Sequence, residues 1–176
     1  QFAANFARVS RDGGKIQVVA RGEVEHPRTG LPMMPKPLGA PALNVADADR
    51  RLVVAAWITS PDNPFFARSL VNRVWKHLLG RGLVEPVDDL RPTNPATHPD
   101  LLDALAAGFV KHRFDLRHLI RTIVSSRTYQ LSSAPLPGNR LDDRLYSHAL
   151  IRDLPAQVFV DAVAQATGVP DHFPNA

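Results

Sequence analysis

The 176-residue chain contains no cysteine. That absence removes disulfides, thiolate zinc sites, iron–sulfur clusters, c-type haem attachment and thiol catalysis. It leaves the compartment open. No run approaches the ~20 apolar residues of a membrane-spanning helix. Also missing are a P-loop, GxGxxG, GxSxG and HExxH. Lysine is scarce: the 21 basic residues are 17 Arg and 4 Lys, against 17 acids, giving a net charge of +4. Arginine suits bidentate contact with phosphate or carboxylate, but the 22 alanines favour a plainer origin in high-GC coding. Nucleic acid is therefore not the expected partner. What is present is 44% hydrophobic and 22% charged, too apolar for a disordered chain and about one domain in size. The chain starts at Gln1, with neither an apolar signal core nor a polybasic run. It is expected to be a piece of a longer protein.

Composition changes near residue 45. Residues 1–45 hold five of the 16 prolines and five of the 10 glycines. Asp12-Gly13-Gly14 reads as a turn before a short alternating strand, Lys15–Val19, and Val24 is a candidate start for another. Met33–Pro41 reads as extended. The expectation is an arm or linker over 1–45 that lies across a partner domain or the helical body. A helical domain follows over 46–176, truncated at its C-terminus.

From Ala46 the pattern is helical. Asp47 and Asp49 sit where a first turn favours acids, and Leu52, Val53, Ala56 and Trp57 recur on one face. Asn63 reads as an N-cap with Pro64 at the first helical position. The helix that follows runs to Leu79 and stops at Gly80. Its core arc is Phe66, Leu70, Val71, Val74, Trp75 and Leu78, with Arg68, Asn72, Arg73 and His77 on the other arc. Residues 80–97 form a long Gly/Pro loop, of a length often tied to function or docking. A third helix opens at His98-Pro99, with Leu101, Leu102, Leu105, Phe109 and Val110 inward. A fourth is capped by Asp115, with Leu116, Leu119, Ile120, Ile123 and Val124 inward. A last helix runs from Pro155 to Thr167, ended by Gly168 and Pro170. The fold class is mainly α: about five helices in an irregular orthogonal bundle, preceded by an arm with one or two short strands.

Seven histidines invite a metal reading, but none has HExxH spacing, and His112 and His118 are six apart across a helix break. Metal sites need three or four convergent ligands, so no metal or cofactor is expected. Asp88-Asp89 follows the Arg/His-bearing helix, where an Asp could pair with Arg73 or Arg81. The polar candidates for a site are Arg68, Asn72, Arg73, His77, Asp89, His98 and Tyr129. They either converge on a cleft or fix the 81–98 loop, and the second reading is the plainer one.

Several ordered blocks carry a resemblance. Ser60-Pro61-Asp62-Asn63-Pro64-Phe65-Phe66-Ala67-Arg68 precedes Val71-Asn72-Arg73-Val74-Trp75, then Gly80-Arg81-Gly82-Leu83-Val84 and Asp88-Asp89. His98-Pro99-Asp100-Leu101-Leu102-Asp103, Leu116-Arg117-His118-Leu119-Ile120-Arg121 and Ser126-Arg127-Thr128-Tyr129-Gln130-Leu131-Ser132-Ser133 follow in order. Leu154-Pro155-Ala156-Gln157-Val158 fits the tail, and Gly22–Gly30 the arm. Over residues 20–173 the sequence resembles the planctomycete-type domain-of-unknown-function family numbered 1553. Two departures stand out: Leu90-Arg91-Pro92, where many members have an aromatic and a glycine, and Gln157, where Glu is common. The resemblance implies a place beside a second uncharacterised domain, numbered 1549, in large exported or envelope bacterial proteins, some with cytochrome or carbohydrate-binding-like modules. It also implies that the family pattern continues past Asn175. No catalytic residues carry over.

Three readings follow. The first is a non-catalytic helical module that packs against neighbouring domains of the same polypeptide and leaves an apolar patch exposed when isolated. The second is part of an enzyme acting on glycans or coupled to a cytochrome module, with the seven polar residues around one cleft. The third is polyanion binding through the arginine surplus.

Overall fold

The computed structural model describes residues 1–42 and 49–169. Two compact units divide the chain, Gln1–Ala67 and Arg68–Ala176. Among the described residues the architecture is mainly helical, with five α-helices and one two-stranded antiparallel sheet. The expected helical start at Ala46, with Asp47, falls outside the described residues, as does Pro170.

In the first unit a 3-10 helix, Phe2–Phe6, leads into β1 (Val9–Asp12) and β2 (Lys15–Val18). Gly13 and Gly14 make the two-residue turn with φ of 52° and 85°, the left-handed pair that matches the twist of a hairpin. Val24 opens no strand; beside it Glu25 bridges to Pro32. Helix α1 (Arg50–Ile58) is capped by Asp49, whose carboxylate accepts from the Arg51 amide. Arg50, 7% exposed, ties the unit together. Its guanidinium donates to Ala4 O at 3.0 Å and to both Glu23 oxygens at 2.9 and 3.0 Å. Hydrogen bonds from Arg50, then Arg8, hold the Glu23 carboxyl below its ordinary range. Phe2 packs edge-on against Trp57, and Pro35 and Pro37 are buried. Leu52, expected inward, is 69% exposed, and Val54 takes the buried position. Within this unit α1 is covered along a narrow stripe, so hydrophobic spacing overstated its buried face.

Helix α2 (Phe66–Leu79) begins at the end of the first unit and runs into the second, where it supplies the core with α3 (Pro99–Lys111) and α4 (Leu116–Val124). Asn63 Oδ1 accepts from the Phe65 and Phe66 amides at 2.9 Å, so it caps α2 just ahead of Pro64 as its spacing predicts. Gly80 ends α2 at φ 87°. Val71, Trp75 and Leu79 of α2, Leu102, Ala106 and Phe109 of α3, and Leu119 and Ile123 of α4 are buried. Leu101, Leu116 and Ile120 were expected inward but are 36%, 44% and 37% exposed. The short α4 turns two full positions inward, and its flanking apolar residues reach only the boundary. Helix α5 (Ala156–Thr167) has no buried residue.

The connection from α4 to α5 is irregular but built. The Asp142 carboxylate accepts from the amides of Arg144, Leu145 and Ser147 and from the Ser147 hydroxyl. These bonds, the hydroxyl first, hold its carboxyl far below the ordinary aspartate range. A carboxyl depressed in the folded state contributes stability above its unfolded value, near 3.9, and loses it as pH falls through the folded value. The stability gap between the native chain and Asp142→Ala is therefore flat from pH 7 to about pH 4 and closes below it. Thermal unfolding across that range checks this; a gap that widens on acidification contradicts it.

Candidate functional site

The most ordered polar structure surrounds the 80–98 loop, and Asn72 is its centre. Asn72 is fully buried on α2. Its Nδ2 donates to Val84 O and Val87 O, both at 2.9 Å, and its Oδ1 accepts from the Val84 amide at 3.0 Å. The carboxamide reproduces a strand partner for a loop that has none. Leu83 and Val84 are buried beside it. Thr97 closes the far end by donating its amide to Leu83 O at 2.8 Å. Asn94 Nδ2 reaches Glu85 O and Asp89 O. Glu85 accepts from the Gly82 amide at 2.8 Å and pairs with Lys76. Burial pushes its carboxyl up, and the Gly82 amide and Lys76 together outweigh that, so it stays below the ordinary range. The Glu85–Pro86 peptide is cis.

The structure places the seven candidate residues in separate surroundings. Arg68 pairs with Asp103 of α3 at 2.9 Å. Arg73 pairs with Asp88 at 2.8 Å, one of the two pairings its position allowed. Asp89 is clasped by Arg91 through two contacts of 2.6 Å, which lower its carboxyl. His98 precedes α3, with Nδ1 3.2 Å from Thr97 Oγ1 and its ring beside Tyr146. Arg73 and His77 line a groove of about 660 Å³, whose apolar wall is Leu78, Val87, Leu154, Pro155 and Val158. Tyr129 lines a separate cavity of about 240 Å³ with Tyr146 and His148. The two cavities share Leu78 and Arg152. The Arg152 guanidinium donates to His77 O.

Sequence reasoning missed three residues here. Tyr146 stacks edge-on with Trp75 at 5.5 Å and donates to Arg81 O at 3.2 Å; burial pushes its phenol up. His148 Nδ1 lies 3.1 Å from Ala149 O, and its Nε2 is buried without a hydrogen-bond partner. Arg152 is the third. The available signal was an aromatic inside, and a histidine just after, the turn fixed by Asp142 and Ser147, six positions with no helical or strand period.

Among the described residues no three His, Asp or Glu side chains gather as metal ligands. Rings of His112 and His118 stack at 3.6 Å, a face-to-face pairing that points both nitrogen lone pairs along parallel planes and suits chelation poorly. Among the described residues no helix is long and apolar enough to cross a membrane. No curated protein and no solved structure matches the chain. The blocks that shape the 80–98 loop and helices α1 to α5 lie within residues 50–174, the span matched by the family model described as PSD1, protein of unknown function (DUF1553), and the chain belongs to that family.

Proposed function

We propose that the chain is a non-catalytic helical module of a larger exported or envelope bacterial protein, and that α5 docks it onto a neighbouring domain of the same polypeptide. One observation carries this reading: α5 has no buried residue, yet one of its faces is apolar. Val158, Phe159 and Val163 are 48%, 58% and 45% exposed. With Ala162 and Ala166 they occupy adjoining positions at helical spacing, while Gln157, Asp161 and Gln165 fall on the other side. Just before α5, Ile151 and Leu154 are 86% and 59% exposed. Burying such a side chain contributes about 1.5–3 kcal/mol, and a contiguous face of them marks an interaction surface. Further support comes from the polar candidates, whose side chains are largely engaged by the 80–98 loop and α3. The exported setting and the sister domain rest on the family resemblance.

The test compares Phe159→Asp/Val163→Asp in two settings. In the 176-residue chain the double substitution changes stability by less than about 0.5 kcal/mol, as exposed positions do. In the full-length polypeptide it costs at least about 2 kcal/mol, because two charges enter a buried interface. Equal effects in both settings contradict the reading.

A further inference from the structure

The net charge of the chain is confined to one short stretch. Residues 111–127 hold Lys111, Arg113, Arg117, Arg121 and Arg127 against one acid, Asp115; the rest of the chain holds sixteen basic and sixteen acidic residues. Elsewhere six of the thirteen arginines are paired: Arg8 and Arg50 with Glu23, Arg51 with Asp49, Arg68 with Asp103, Arg73 with Asp88 and Arg91 with Asp89. Among the described residues no ion pair involves the five cations of this stretch, and all five are exposed. Asp115, whose carboxylate caps α4 by accepting from the Arg117 and His118 amides, offsets one of the five charges and leaves four.

Helix α4 orders part of this charge. Arg117 and Arg121 are four apart and share a face. One position ahead of each, Leu116 and Ile120 form an adjoining strip, 44% and 37% exposed. Leu119 and Ile123, on the far edge of the same apolar face and away from the arginine row, are buried and hold the helix in the core. The result is a half-open apolar strip bordered by a guanidinium row on a fixed support. We propose that this outer edge of α4 docks an acidic, leucine-bearing segment of another protein. Guanidinium groups clasp carboxylates bidentately, and arginine beside apolar residues is the composition of interface centres. No Phe, Tyr or Trp lies on α4 to stack bases, as single-stranded nucleic acid requires, and the His118 ring is already stacked on His112. Only two half-covered apolar side chains are available, too few for the deep apolar face of a membrane-surface helix. This surface is distinct from α5, so either reading stands or falls without the other.

The experiment measures binding of a labelled synthetic peptide, glutamate and leucine at helical spacing, to the 176-residue chain by fluorescence anisotropy. Comparison probes are the same peptide with glutamine for glutamate, a single-stranded oligonucleotide and phosphatidylglycerol vesicles. Arg117→Ala/Arg121→Ala weakens the glutamate peptide by at least about tenfold. Leu116→Ser/Ile120→Ser also weakens it. Lys15→Ala/Arg28→Ala, which removes two exposed cations from the first unit, leaves it unchanged. Circular dichroism confirms that each variant is folded. The proposal is overturned if the glutamate peptide does not bind, if the glutamine peptide binds equally, or if the control pair weakens binding as much. It is equally overturned if the oligonucleotide or the vesicles bind more tightly than the peptide with the same dependence on Arg117 and Arg121.

Discussion

Asn72→Ala lowers the unfolding free energy by about 3–4 kcal/mol. The substitution strips partners from Val84 N–H, Val84 C=O and Val87 C=O at once. A buried group left unpaired costs roughly 1–3 kcal/mol, and water entering the loop recovers part of the sum. Against a typical total of about 5–15 kcal/mol, that loss is large. The 80–98 loop is expected to open before the rest of the unit, so limited proteolysis cuts first between Gly80 and His98. Arg68→Ala, one turn earlier on α2, is the comparison. Its pairing with Asp103 is between side chains 40% and 55% exposed, and its loss costs less than about 1 kcal/mol. Urea unfolding of both variants separates them; a loss below about 1 kcal/mol for Asn72→Ala contradicts the central place given to that side chain.

Gly82→Ala has the second large effect. A Cβ at Gly82 would lie 2.6 Å from Val84 O and 3.1 Å from Asn72 Oδ1. The first neighbour is backbone inside a hydrogen-bonded loop, so it cannot swing aside. The loop must shift, which costs at least about 2 kcal/mol by overpacking. The shift displaces the same bonds that Asn72→Ala deletes, so the double variant loses less than the two single losses together. Gly108→Ala reverses the sign. Nothing lies within 4 Å of a Cβ there, and alanine inside α3 is expected to stabilise by about 0.5–1 kcal/mol. Thermal unfolding of the set checks both directions. A neutral Gly82→Ala contradicts the close approach of Gly82 to Asn72.

How much of this was legible in the sequence depended on how local the cause is. Asn63, Asp115 and Gly80 act within four residues of themselves, and their caps and stops are where their chemistry puts them. Asn72 was visible as a polar residue on α2, but not its burial. Helical spacing set it on the outer arc, and only the return of Gly82–Val87 over that arc makes it the most enclosed polar side chain of the second unit. Leu52, Leu101, Leu116 and Ile120 erred in the opposite sense: periodicity reports which face is apolar, not how much of it finds a neighbour. Tyr146 and His148 lay beyond reach because their positions depend on the Asp142 turn, and Tyr146 itself takes a φ of 58°. The stacking of His112 on His118 depends likewise on two left-handed residues, Arg113 and Phe114. Family membership, carried by motifs rather than by periodicity, was legible directly over residues 50–174.

The docking role of α5 is tested most directly by hydrogen exchange of its backbone amides in the 176-residue chain and in the full-length polypeptide. In the shorter chain, residues 156–167 are expected to exchange almost as fast as a frayed terminus, since none of them is buried. In the full-length polypeptide the same amides slow by at least about a hundredfold, the signature of a helix locked beneath a partner domain. Equal protection of α5 in both would contradict the docking role assigned to it.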